Sequence, residues 1–404
     1  MTTDITVRLT ADAALPADAA RALLIGRAWV PAANGPTLVR VDADALLDLS
    51  AIAPTASELL NRPGIAREIR GAGSLPRVGS LAAALRNAAE DGRDASAPRL
   101  LAPCDLQAIK AAGVTFVASM LERVIEEQAR GDPARADAVR RKIAGVVGSN
   151  LRRVRPGSAQ AERVKEVLLA EGLWSQYLEV GIGPDAEIFT KTQPMASVGT
   201  GVDIGIHRQS TWNNPEPEIV LAVNAHGETV GATLGNDVNL RDFEGRSALL
   251  LGKAKDNNAS CAIGPFIRLF DDAFTIDTVR GADLALTVEG RDGFALRGSS
   301  SIGEISRDPL DLVGQAIGGN HQYPDGLMLF LGTMFAPTQD RHAPGLGFTH
   351  EVGDIVTIAT PSLGALVNRV DYADAIAPWT FGAAALMRNL AARGLLPREG
   401  DPGS

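Results

Sequence analysis

The chain has 404 residues, of which 45% are hydrophobic and 4% aromatic, with two cysteines and a formal net charge of −9. That length suits two or three domains, with cores built from Ala, Val, Leu and Ile rather than from rings. An acidic balance with no basic block excludes a nucleic-acid footprint, and the two thiols, Cys104 and Cys261, make neither a disulfide framework nor a zinc site.

Residues 1–95 read as a small N-terminal domain. No apolar leader core stands at 1–15, and no run approaches the ~18 apolar residues of a membrane span, so a cytoplasmic protein without membrane partners is expected. Strands are expected at 21–26 and 37–41, short helices at about 44–49 and 80–89, and loops at 63–64 and 71–76. The polar, breaker-rich stretch 91–98 marks a boundary, and residues 100–404 form the second unit. Val117, Met120, Leu121, Val124 and Ile125 recur at helical spacing over 117–131, with Glu122 and Glu126 on the opposite face. Two more helices are expected at about 133–147 and 159–176. From Val180 the pattern changes to short apolar runs between Gly, Pro, Asn and Asp. Expected strands are 187–189, 218–224, 229–234, 283–288, 294–297, 327–331 and 354–359. Helices close the pattern at 308–317 and 382–393. The fold class is α+β: a small N-terminal domain followed by a β-rich domain with flanking helices.

The chemistry concentrates after residue 215. Glu216 and Glu218 stand two apart at the head of the run Ile219-Val-Leu-Ala-Val223. Side chains two apart on a strand share a face, so both carboxylates point the same way. Asp237 lies beyond a turn at His226-Gly227, and a hairpin would return it beside them. Three oxygen ligands on one face suit Mg²⁺, with Mn²⁺ or Ca²⁺ as alternatives. Taken singly, a Glu-x-Glu is also what a solvated strand face looks like.

Lys255 precedes a polar loop and an apolar strand. It reads as a solvated lysine or, beside a metal-bound oxyanion, as a stabiliser of developing charge. Arg241 reads as a carboxylate clamp or a structural ion pair. Thr333 follows the strand-like Leu327–Leu331 run, where a hydroxyl can meet a substrate carboxylate or simply end a strand.

In order and together, these segments resemble the fumarylacetoacetate hydrolase superfamily over residues 100–370. The matching pieces are Phe189-Thr-Lys191, Pro215-Glu-Pro-Glu-Ile-Val-Leu-Ala-Val223, Gly235-Asn-Asp-Val-Asn-Leu-Arg-Asp242, Gly252-Lys-Ala-Lys-Asp-Asn-Asn-Ala-Ser-Cys-Ala-Ile-Gly-Pro265, Leu331-Gly-Thr333 and Gly353-Asp-Ile-Val-Thr-Ile358. The resemblance implies metal ligands at Glu216, Glu218 and Asp237, catalytic roles for Lys255 and Thr333, and substrate contacts from Arg241, Thr333 and Ser119. The short interval from Glu218 to Asp237 and the stretch Ala112-Gly-Val-Thr-Phe-Val-Ala-Ser119 are similar to the 2-keto-3-deoxy-D-arabinonate dehydratase branch. Hydrolases of the superfamily carry a water-activating histidine three residues after that serine, where this chain has Glu122.

The resemblance therefore implies a metal-dependent hydro-lyase. It would convert a 2-keto-3-deoxy pentonate to 2-oxoglutarate semialdehyde through a metal-stabilised enolate, with Glu122 as acid/base and Glu216 as its rival. The alternative is a hydrolase cleaving a C–C bond of a 2,4-diketo acid. Family habit suggests a homodimer or homotetramer.

Overall fold

The computed structural model describes residues 4–116, 120, 124, 141, 154–333, 335, 337, 339–343 and 347–396. Among them, two sheets stack around the largest apolar core. The larger has eleven strands. Its path runs Arg77–Ser80, Ala45–Asp48, Gly35–Asp42, Leu24–Val30, Cys261–Leu269, Thr229–Asp237, Pro217–Val223, Leu327–Phe330, Ala108–Gly113 and Glu187–Thr192, with Arg99–Leu101 pairing Leu24–Val30. Residues from the first hundred thus share hydrogen-bonded strands with the later part of the chain, through Leu24 opposite Arg268 and Ile25 opposite Ile267. The second sheet orders Ala295–Ser301, Asp283–Glu289, Ile355–Thr360, Gly364–Tyr372 and Asp203–Ile206.

Pro217–Val223 is buried at every position, as a near-continuous apolar run demands when both faces of a strand are covered. Ile219, Leu221 and Val223 pack toward Leu284, Leu286 and Val288 of the second sheet. Val220 and Ala222 face the other way, against Leu59, Ile65 and Ile69 of the helices Ala56–Asn61 and Ile65–Gly71. Glu216 and Glu218 continue this even-numbered face past the end of the apolar cover.

The turn that returns the chain is built by Asn224. Its Oδ1 accepts from the N–H groups of His226 and Glu228, each at 3.0 Å, and Gly227 takes φ +80°. Short polar side chains and glycine are what such a turn requires. The register that follows sets Pro217 opposite Asn236 and Glu218 opposite Gly235. One residue further, Asp237 N–H donates to Glu216 O at 3.1 Å.

Several expected elements need correction. Residues 44–49 do not form a helix: Ala45–Asp48 is a strand paired on both sides. The expected helix at 159–176 ends at Ala170, where Gly172 turns left-handed at φ +64°, and a second helix, Gln176–Ile182, follows. The strand expected at 21–26 runs Leu24–Val30. The nine-residue strand Gly364–Tyr372 was not foreseen. Apart from Met120, Val124 and Arg141, the helices expected at 117–131 and 133–147 lie outside the described residues. No helix among the described residues is long and apolar enough to cross a membrane.

Candidate active site

The hairpin brings together three carboxylates from two strand ends. Glu216, Glu218 and Asp237 each offer an oxygen within 4.8 Å of the other two, and all three residues are buried. Glu218 Oε2 accepts from Gly332 N–H at 2.6 Å. That donor lies two residues past the end of the neighbouring strand, Leu327–Phe330. Gly332 has φ +89°, and a Cβ there would lie 2.1 Å from Thr115 Oγ1, so only glycine can present the N–H this way. Thr115 in turn holds the loop by donating its hydroxyl to Leu331 O at 2.7 Å.

Lys255 closes the other side. It ends the short helix Leu251–Lys255, and its Nζ donates to Glu216 Oε2 at 2.6 Å and Asp237 Oδ2 at 2.9 Å. Burial opposes the ammonium, but the facing Asp237 and Glu216 charges outweigh it and hold the pKa above that of an ordinary lysine. Asn239 Nδ2 bridges Glu216 Oε1 at 3.0 Å and Glu244 Oε2 at 2.6 Å.

Lys191 was quoted in the sequence only as part of a motif and was given no role. In the structure it is fully buried, with Nζ 2.9 Å from Asp237 Oδ1. It also donates to Val238 O at 3.1 Å. The available signal was its place two residues after Phe189 on the strand Glu187–Thr192, which puts both on one face. Phe189 lines the same cleft as the carboxylates.

The balance of charge leaves room for a cation. Lys191 and Lys255 flank Asp237, and Lys255 also reaches Glu216, but no Lys or Arg pairs with Glu218 among the described residues. Burial first, then the Asp237 and Glu216 charges, push the Glu218 carboxyl well above its usual range. Burial also works to raise Asp237, but Lys191 and Lys255 hold it low. An oxygen-only donor set with a residual negative charge, at the closed end of a cleft, fits Mg²⁺.

Of the other expected site residues, Arg241 and Thr333 both line the cleft. Arg241 stacks its guanidinium 4.3 Å from the Trp212 ring centroid, and Thr333 Oγ1 accepts from Phe335 N–H at 3.0 Å. Ser119 and Glu122 lie outside the described residues.

No family model matches the chain. Two curated proteins align with about half of it. It is 33% identical over 186 residues to 2-dehydro-3-deoxy-D-arabinonate dehydratase of Saccharolobus solfataricus, covering 46% of this chain and 58% of that protein. It is 31% identical over 195 residues to a Haloferax volcanii protein named "Probable 2-keto-3-deoxyxylonate dehydratase", covering 48% of this chain and 63% of that one. The alignments therefore span less than two thirds of either relative. Among solved structures, the apo form of 2-keto-3-deoxy-D-arabinonate dehydratase superposes with a TM-score of 0.58 at 20% identity, covering 86% of this chain and 99% of the other. The chain has the fold of 2-keto-3-deoxy-D-arabinonate dehydratase. It mixes helices with sheets, as the α+β class expected from the sequence does. A second structure of that enzyme, in complex with magnesium and 2,5-dioxopentanoate, superposes with a TM-score of 0.57 at 20% identity and covers 86% of this chain and 99% of its own.

Proposed function

We propose that the chain is a Mg²⁺-dependent dehydratase of a 2-keto-3-deoxy pentonate, releasing water and 2-oxoglutarate semialdehyde. The observation that carries this reading is the buried Glu216–Glu218–Asp237 cluster, with Lys255 bridging two of its members in an open cleft. It is supported by similarity to two curated proteins with dehydratase names and by a like-folded enzyme bound to magnesium and 2,5-dioxopentanoate.

Glu216, Glu218 and Asp237 hold the ion. When bound, it supplies Lewis-acid polarisation of the 2-keto group, which acidifies C3. The remaining work belongs to the chain. Lys255 spends two of its three N–H donors on Glu216 and Asp237. The third is left for the substrate oxygen that gains charge as the C3 proton departs. Arg241 and Thr333 orient the substrate carboxylate, Arg241 with its plane fixed by Trp212. Ser119 adds a substrate contact, and Glu122 takes the proton, with Glu216 as its rival only where the ion grips Glu216 loosely. That C3 proton and the C4 hydroxyl leave as water, and proton shifts then turn the C5 carbinol into the aldehyde without an outside oxidant.

The test is incubation of the purified chain with Mg²⁺ and 2-keto-3-deoxypentonate, with the semialdehyde followed by mass or by hydrazone formation. Semialdehyde is expected. Pyruvate release from a 2,4-diketo acid, with no semialdehyde from the pentonate, would overturn the reading in favour of C–C hydrolysis.

A further inference from the structure

A second cleft shares no lining residue with the first. Its base is the strand Leu24–Val30, where Arg27 and Trp29 share a face. Arg99 stands directly opposite Trp29 across the ladder with Arg99–Leu101, and its guanidinium lies 4.9 Å from the Trp29 ring centroid. Phe381 meets Trp29 edge-on, with centroids 5.4 Å apart. Trp379 completes the wall and is 47% exposed. Two of the chain's four tryptophans therefore line one cleft.

Two of the three arginines here have no carboxylate partner among the described residues. Arg27 is committed: it is buried, donates to Ala102 O at 3.3 Å, and lies 3.5 Å from Asp105. Arg93 and Arg99 have no carboxylate partner among the described residues, although Glu90 lines the same cleft. Arg93 gives one Nη2 bond to Ala88 O at 2.6 Å, while its Nε is buried with no acceptor. Burial, then the like charge of Arg93, lowers the pKa of Arg99. On a chain of net charge −9, two half-buried guanidiniums without counter-ions stand against the overall field. An anion between them would relieve the repulsion and give Arg93 Nε an acceptor. A guanidinium stacked on a ring keeps its N–H edge free for in-plane donation. The aromatic walls, in turn, fit a flat apolar body rather than a bare ion.

We propose that the Trp29–Arg99–Trp379 cleft is a second ligand site, for a small molecule that joins an aromatic ring to a phosphate or carboxylate. Both anions offer paired oxygens to the arginines, and the ring slots between the tryptophans.

The test is titration of the full chain, without Mg²⁺, by phenyl phosphate and by benzoate, followed by tryptophan fluorescence and calorimetry. Inorganic phosphate and benzyl alcohol serve as half-ligands. At least one aryl anion is expected to quench saturably and to bind about tenfold or more tightly than either half-ligand. The better of the two identifies the anion. Arg99→Met should weaken binding about tenfold, and Trp379→Ala, an exposed position that no core depends on, should weaken it and remove part of the quench. The proposal is overturned if neither aryl anion saturates at millimolar concentration. It is also overturned if binding is unchanged in folded Arg99→Met and Trp379→Ala, or is lost only in Arg241→Met, which would place the ligand in the carboxylate cleft.

Discussion

Lys191 Nζ stands 2.9 Å from Asp237 Oδ1, and both side chains are sealed from solvent. The pair spans two strands, Glu187–Thr192 and Thr229–Asp237, that are not neighbours in the sheet. It therefore fixes the height of the third carboxylate from across the fold. Without Lys191, Asp237 keeps Lys255 as a counter-charge, but the three buried carboxylates repel one another more strongly. Lys191→Met should cost about 1–3 kcal/mol in the metal-free protein, less than the loss of a sole partner, and Mg²⁺ should recover part of that loss. Melting curves with and without Mg²⁺ check both statements.

Lys255→Met should behave differently. It removes the ammonium that bridges Glu216 and Asp237 and the donor assigned to the substrate oxygen. The expected loss in kcat is about 10²–10³-fold, as for a single oxyanion-type donor, while Mg²⁺ binding survives. Steady-state kinetics beside a calorimetric Mg²⁺ titration separate the two effects.

Gly332→Ala places a methyl where Thr115 Oγ1 already stands and demands φ +89° of a residue with a Cβ. The backbone shift would draw the Gly332 N–H away from Glu218 Oε2. A stability loss of about 1–3 kcal/mol is expected, together with weaker Mg²⁺ binding. Thr115→Ser keeps the hydroxyl and should change neither; melting and Mg²⁺ titration of both variants decide.

Away from the cleft, Asp354 carries a pH prediction. It is fully buried, bonded to Arg341 at 2.6 and 2.8 Å and to His350 Nδ1 at 3.1 Å. Burial favours its neutral form, but those partners outweigh burial and hold its pKa below the usual carboxyl value. A depressed folded pKa contributes stability above the unfolded value of 3.8, and this is lost as pH falls through the folded one. Asp354→Asn should therefore be less stable than the parent at pH 7. That gap should shrink below pH 4, as read by urea denaturation at each pH.

Local pattern carried much of this architecture. Glu216 and Glu218 could be placed on one face because strand alternation is independent of context, and His226-Gly227 announced the turn that brings Asp237 back. The helix expected at 44–49 failed because residues there close a hairpin whose partners, Gly35–Asp42 and Arg77–Ser80, impose extended backbone on both sides; tertiary pairing overrides a short helical pattern. Lys191 escaped notice for a related reason. A lysine on a strand reads as solvated, and its burial appears only when Asp237, forty-six positions later, is set against it.

The proposed chemistry depends on a divalent ion held by Glu216, Glu218 and Asp237. The most direct measurement is an anomalous difference map from crystals grown with Mn²⁺ in place of Mg²⁺. One peak is predicted, in bonding contact with all three carboxylates and absent from Glu218→Gln crystals. A chain that turns over the pentonate while its Mn²⁺ peak lies elsewhere, or with no peak between these residues, would contradict the account.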